Sequence, residues 1–283
     1  MAAASARLAL SRRDRDYAVG LGRAFAGAII FGLPLLMTME MWWLGFMLPP
    51  ARLLVFGGVN LLVLIGLSRV AGFEETHSRL EDVLDAFAAY GVGALASAAL
   101  LALFGVIGPG MPLSELAGKV AVQAFPASFG AMIAAKQLGV ADDIEEVGEK
   151  ERWRGRYRGQ LFLMLAGALF LGFNLAPTEE MSLIAYRMTP WHGLALVVLT
   201  IGLLHAFVYS VGFAGQEKGH ARGFLATFVH YTLAGYAIAV LAAFYLLWTF
   251  GRVEGAGLPE VVAMIAVLAF PGAIGAAIAR LVV

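Results

Sequence analysis

The chain has 283 residues, of which 60% are hydrophobic and only 14% are charged. Soluble domains carry about 25% charged residues, so this composition argues against a soluble domain and predicts an integral membrane protein. The 20 basic and 20 acidic residues balance, so the chain lacks the excess of positive charge that is typical of nucleic-acid-binding proteins, and we expect no nucleic-acid partner. The absence of cysteine excludes disulfides, thiolate metal sites and cysteine nucleophiles.

Eight apolar runs are long enough to cross the roughly 30 Å hydrocarbon core, which takes about 20 helical residues. In chain order they cover residues 18–41, 52–71, 84–107, 115–137, 159–176, 191–213, 224–250 and 259–281. The sequence therefore predicts an all-α polytopic membrane protein with eight transmembrane helices.

The two halves of the chain repeat each other. Gly27, Gly32, Thr38, Glu40 and Met41 recur 140 residues later as Gly167, Gly172, Thr178, Glu180 and Met181, and Glu115, Pro126 and Gly130 recur 145 residues later as Glu260, Pro271 and Gly275. Matches in constant order indicate a tandem duplication. Four spans per repeat predict two parallel repeats (a 4+4 arrangement), because an even number returns the chain to its starting side. The predicted divisions are an N-terminal segment 1–17, repeat 18–137, linker 138–158 and repeat 159–283.

The basic residues predict the orientation. Sixteen of the twenty Lys and Arg residues fall on one side when the N-terminus is placed in the cytoplasm, and four fall on the other. Trp42, Trp43, Trp191 and Trp248 then lie at the outer interface, where indole rings are enriched. The first span is too long for a signal peptide. We therefore expect a multi-pass protein of the bacterial inner membrane with the N-terminus, the 138–158 linker and the C-terminus in the cytoplasm.

This topology makes a direct prediction for cysteine labelling. Because the chain has no cysteine of its own, single cysteines at Arg152 and at Thr189 report only their own positions. An impermeant thiol reagent should label them from opposite sides of the membrane. Labelling of both from one side would contradict the eight-span topology.

Charged residues inside the bilayer are costly and usually functional. Glu40 and Glu180 occupy matched positions near the outer ends of their predicted spans, each two residues after Thr38 or Thr178. Two carboxylates facing each other across the pseudo-two-fold axis would attract a cation or share a proton. The alternative is that both are solvated at the outer interface and take no part in function.

Four further polar residues are candidates for an internal network. Arg23 and Asp85 lie near the inner ends of the first and third spans, which would suit an ion pair. His205 and His230 lie at similar depth on consecutive antiparallel spans. A facing histidine pair suits proton transfer, axial haem ligation or, most simply, a polar contact between helices. No protease or phosphate-binding motif is present, so we expect no enzymatic activity, no metal and no cofactor.

The segment from Arg23 to Trp43, and above all the string Thr38-Met39-Glu40-Met41-Trp42-Trp43, resembles an uncharacterised family of bacterial eight-span integral membrane proteins. The resemblance covers almost the whole chain and implies no activity. The same segment is distantly similar to the first helix of the lysosomal and bacterial potassium channels, although Ala26-Gly27 replace their Ser-Asp pair. That similarity implies ion conduction.

These features together predict a channel or transporter for a small cation or proton, with its site at the repeat interface. A non-transporting accessory or scaffold subunit of a membrane complex is the main alternative, and a bis-histidine haem protein is a lesser one. The partners expected are membrane lipids, the small ion, and a second copy or another membrane protein.

Overall fold

The computed structural model describes residues 2–71, 79–137, 156–211 and 223–282. Within these ranges all regular secondary structure is helical. The helices are α1 (Ala2–Leu36), α2 (Met39–Met47), α3 (Pro50–Ala71), α4 (Arg79–Leu103), α5 (Leu113–Gln137), α6 (Tyr157–Leu175), α7 (Glu179–Arg187), α8 (Pro190–Val211), α9 (Phe224–Thr249) and α10 (Leu258–Val282). Helix α9 contains a π-helical turn at Phe228–Leu233.

Eight of the described helices are long and apolar enough to cross a membrane, as the sequence predicts. The candidate spans are Ala18–Leu36, Pro50–Arg69, Leu80–Leu103, Leu113–Ala134, Tyr157–Leu175, Pro190–Ser210, Phe224–Thr249 and Leu258–Ala279. Two short helices, α2 and α7, follow the first and fifth spans. Most of the predicted 138–158 linker lies outside the described residues, and residues 2–17 continue α1.

The first predicted span is too long at its C-terminal end. Helix α1 stops at Leu36, whereas the apolar run continues to residue 41. Thr38 takes an extended conformation, with φ −98° and ψ 130°, and starts the new helix α2. Threonine followed by an acidic residue is a typical helix start, because their side-chain oxygens interact favourably with the unpaired N–H groups of a first turn. Hydropathy alone did not predict this break, because the residues on both sides of it are apolar.

The chain forms two compact units. The first comprises Met1–Met37 and Gly57–Asp142, and the second comprises Thr38–Phe56 and Asp143–Val283. This division differs from the predicted one, in which residues 38–56 belong with the first repeat. The reason is local packing within the second unit, where the fully buried ring of Phe56 lies 5.6 Å from the rings of both Phe173 and Phe250.

Each unit is built around one central helix. In the first unit α5 packs against α1 and α4, and in the second unit α10 packs against α6, α8 and α9. Glycine allows the closest approaches: a Cβ on Gly130 would clash with the carbonyl oxygen of Gly27, and a Cβ on Gly275 would clash with that of Gly167. Small residues at such crossings let two helix backbones touch, as in other membrane helix pairs.

Candidate functional site

The two candidate carboxylates lie in short helices and not in membrane-crossing ones. Glu40 is in the first turn of α2 and is half-buried, whereas Glu180 is in the first turn of α7 and is exposed. Their preceding threonines, Thr38 and Thr178, both have extended backbone conformations. A carboxylate in a first turn is stabilised by the helix dipole and its free N–H groups. Their predicted joint role in ion binding stays a prediction.

Asp85 lies within the first unit, close to the end of α3. Its Oδ2 accepts a hydrogen bond of 3.0 Å from Ser68 Oγ. One turn away, Asp82 is buried and forms an ion pair with Arg69, with Nε and Oδ2 2.8 Å apart. Among the ion pairs of the described residues there is none between Arg23 and Asp85. The arginine that forms an ion pair at this end of α4 is Arg69 of α3, and its partner is Asp82.

The two candidate histidines have different environments. The buried His205 shares a 2.8 Å hydrogen bond between its Nδ1 and Thr232 Oγ1, and its ring lies among aromatic rings that include Phe224 at 4.4 Å. His230 is exposed, and its Nδ1 lies 3.0 Å from the carbonyl oxygen of Ala226 in its own helix. The structure therefore gives His205 a polar interhelical contact and gives His230 a local one, an arrangement that does not favour haem ligation by the pair.

A group of buried polar side chains in the first unit was not identified from the sequence. Asn60 on α3, Ser97 on α4 and Gln123 on α5 are fully buried, and Lys119 on α5 is 7% exposed. The hydroxyl of Ser97 and both amide atoms of Gln123 have no hydrogen-bond partner among the protein atoms. We call Ser97, Lys119 and Gln123 the polar cluster.

Helix contacts place Ser97 at the depth of Gln123. A Cβ on Gly93 would lie 2.6 Å from the carbonyl oxygen of Ala124 and 2.7 Å from the nitrogen of Ser128, so α4 crosses α5 at residues 124–128. Since the chain turns back between α4 and α5, Ser97, one turn beyond Gly93, comes level with residues 120–124 of α5. At 1.5 Å per residue, Gln123 lies about 15 Å from the start of α5. This is near the middle of the Leu113–Ala134 span.

Lys119 is the charged member of the cluster. Its Nζ lies 2.7 Å from Glu115 Oε1 one turn earlier on α5 and 3.4 Å from the carbonyl oxygen of Val106, to which it donates. The lysine side chain is 9% exposed and the glutamate side chain is 30% exposed. The positive charge is therefore the more buried of the two.

The second half of the chain has apolar residues at the corresponding positions. Glu115 has Glu260 as its counterpart 145 residues later, but Lys119 is matched by Met264 and Gln123 by Leu268. Met264 and Leu268 are also fully buried in α10. The central helix of the second unit therefore packs with a methionine and a leucine at these positions.

A second polar group lies in the second unit, at the start of α3. Arg52 forms an ion pair with Glu254, and its guanidinium carbon lies 5.3 Å from the centre of the Trp248 ring. Arg252, in the same loop as Glu254, donates to the carbonyl oxygen of Pro177. These contacts attach the first turns of α3 to the second unit and are consistent with a structural role.

The described residues contain no group of three or more histidine, aspartate or glutamate side chains arranged to hold a metal ion. The groove between α8 and α10 is almost entirely apolar, with Thr200 as its polar residue. The polar cluster is one place in the described structure where buried polar atoms near the middle of a span lack hydrogen-bond partners.

Comparison with known protein families agrees with the membrane fold. A family model described as "Putative integral membrane protein (DUF2391)" matches residues 20–283, which include the eight candidate spans almost completely. Searches of curated proteins and of solved structures found no match. The resemblance carried by the Arg23–Trp43 segment is thereby confirmed, and the chain belongs to this family of integral membrane proteins.

Proposed function

We propose that this protein is a channel or transporter for a small ion, and that the ion passes the polar cluster inside the first unit. The observation that carries the proposal is Gln123, which is fully buried near the middle of a membrane span with both amide atoms unpaired. Leaving a buried polar atom without a partner costs about 1–3 kcal/mol. A residue that carries this cost in a membrane protein is a candidate for binding what moves through it.

The same proposal includes a tandem duplication that gives two parallel four-span repeats. Three features support it: the short helices α2 and α7 after the first span of each half, the glycine contacts of α1 with α5 and of α6 with α10, and the constant offset of the sequence matches. Under this duplication the halves have diverged in chemistry. The central helix of the first half carries Lys119 and Gln123 where that of the second carries Met264 and Leu268, so we assign the ion path to the first half and not to the repeat interface.

We further propose that the protein resides in the bacterial inner membrane with both termini in the cytoplasm and has no enzymatic activity. The distribution of Lys and Arg supports the orientation. Its partners in this proposal are the ion and the surrounding lipids.

Ion flux through liposomes that contain only this protein tests the function and locates the site. Wild type should raise the flux of at least one ion from a panel of chloride, nitrate, rubidium and protons above that of protein-free liposomes. The double variant Glu40→Gln/Glu180→Gln should retain most of this flux, because both carboxylates lie in short helices outside the spans.

Two results would contradict the proposal in different ways. Loss of flux in a normally folded double glutamine variant would show that the ion site depends on Glu40 and Glu180 and not on the polar cluster alone. Absence of flux in wild type for every ion of the panel would overturn the transport function and favour a non-transporting accessory subunit.

A further inference from the structure

We infer that the ion accepted by the polar cluster is a small inorganic anion; this inference rests on the proposed function and specifies its substrate class. It differs from the cation or proton expected from the sequence. That expectation depended on Glu40 and Glu180, which lie outside the membrane-crossing helices.

The charge nearest to Gln123 along α5 is positive. Lys119 lies one helical turn from Gln123, and Glu115 lies two turns away on the more exposed side of the lysine. Nζ of Lys119 and Oε1 of Glu115 lie 2.7 Å apart, so their fields at Gln123 would cancel in large part if water screened both equally. The lysine side chain is 9% exposed and the glutamate side chain is 30% exposed, so water screens the negative charge more. This difference leaves a net attraction for an anion and disfavours a cation.

Among the side chains that the structure describes, the other buried or partly buried charges of the first unit lie toward the other end of α5 and include both signs. Arg69 is paired with Asp82. Arg23 lies one turn before Gly27, which faces Gly130 and Ala134, and Asp85 lies two turns before Gly93. Both are therefore near the level of Ala134, about 16 Å of helix beyond Gln123. Because one is positive and the other negative, they leave Lys119 as the dominant charge at the cluster.

The polar cluster also supplies the donors that an anion needs. The amide nitrogen of Gln123 and the hydroxyl of Ser97 are both unpaired, and both can donate to a halide or an oxyanion. Two neutral donors beside a lysine that already has a carboxylate partner favour weak binding. A conduction pathway requires weak binding, because the ion must also leave.

Tracer uptake into liposomes tests the inference for a channel and for a transporter alike. Chloride, nitrate and rubidium uptake are measured under the same conditions in liposomes that contain only this protein. Wild type should take up chloride or nitrate severalfold faster than rubidium. Lys119→Met should lower the ratio of anion to rubidium uptake severalfold, because it removes the positive charge and leaves the negative charge of Glu115, whereas Lys119→Arg, which keeps the charge, should preserve it.

Lys119→Met is expected to fold normally, because Met264 is fully buried at the corresponding position of α10, four residues after Glu260. Lys119→Gln is a second neutral variant that retains hydrogen bonding. Arg187→Gln removes an exposed charge on α7 and should leave the ratio unchanged.

The outcomes separate this inference from the function on which it rests. Rubidium uptake faster than both anions would overturn the anion inference and leave the transport function standing. An anion preference that survives in folded Lys119→Met and Lys119→Gln would also overturn it, because the selectivity would then lie elsewhere. Uptake of none of the three ions by wild type, with no proton flux either, would instead overturn the proposed function.

Discussion

Gln123→Leu is expected to abolish ion flux and at the same time to raise the thermal stability of the protein. The amide of Gln123 is fully buried without a partner, so replacing it with an apolar side chain of similar size removes a cost of about 1–3 kcal/mol. Leu268 shows that leucine fits at the corresponding position of α10. We expect flux to fall at least tenfold and the melting temperature in detergent to rise by several degrees, at about 2–4 °C per kcal/mol.

The reciprocal change in the second half is the matched control. Leu268→Gln places an amide in the apolar interior of α10 and should lower the melting temperature by a similar amount while leaving flux intact. A folded Gln123→Leu protein with wild-type flux would move the path away from the polar cluster. A large loss of stability in Gln123→Leu would show that Gln123 is needed for packing, which would contradict the functional assignment.

Gly130→Ala and Gly275→Ala should each destabilise the protein, because they add a methyl group where two backbones touch. The new Cβ at position 130 would clash with the carbonyl oxygen of Gly27 and lie 2.6 Å from Phe31 Cβ, and at position 275 it would clash with the carbonyl oxygen of Gly167. Inserting a methyl group into a closely packed region costs about 1–3 kcal/mol. Thermal denaturation followed by circular dichroism should show melting temperatures lowered by about 3–10 °C.

Two glycines with open surroundings provide controls of the same chemistry. A Cβ on Gly58 in α3 or on Gly202 in α8 would meet no atom within 4 Å. Alanine at either position should leave the melting temperature unchanged or raise it slightly, since alanine favours the helix. Equal effects at all four positions would show that the α1–α5 and α6–α10 contacts do not determine stability.

Hydropathy alone determined the number of spans and their approximate positions. A helix that crosses the bilayer must satisfy its backbone internally and be apolar over about 20 residues, so each span leaves its own mark in the sequence. Hydropathy failed at residues 37–41, where Thr38 and Glu40 start α2 although the run stays apolar. The start signal was present in the sequence, because a threonine followed by an acidic residue is typical of a helix N-terminus.

The candidate site was decided by tertiary structure. From the sequence, Glu40 is the strongest candidate, because it is a charged residue within an apolar run. Lys119 and Gln123 are weaker candidates, because Lys119 is near the end of a predicted span and Gln123 is uncharged. Packing reverses this order: Gly93 brings α4 against residues 124–128 of α5 and encloses Gln123, while Glu40 remains half-buried at the start of a short helix. Burial and pairing depend on which helices meet and on which faces, and a single sequence records hydropathy along the chain without recording those contacts.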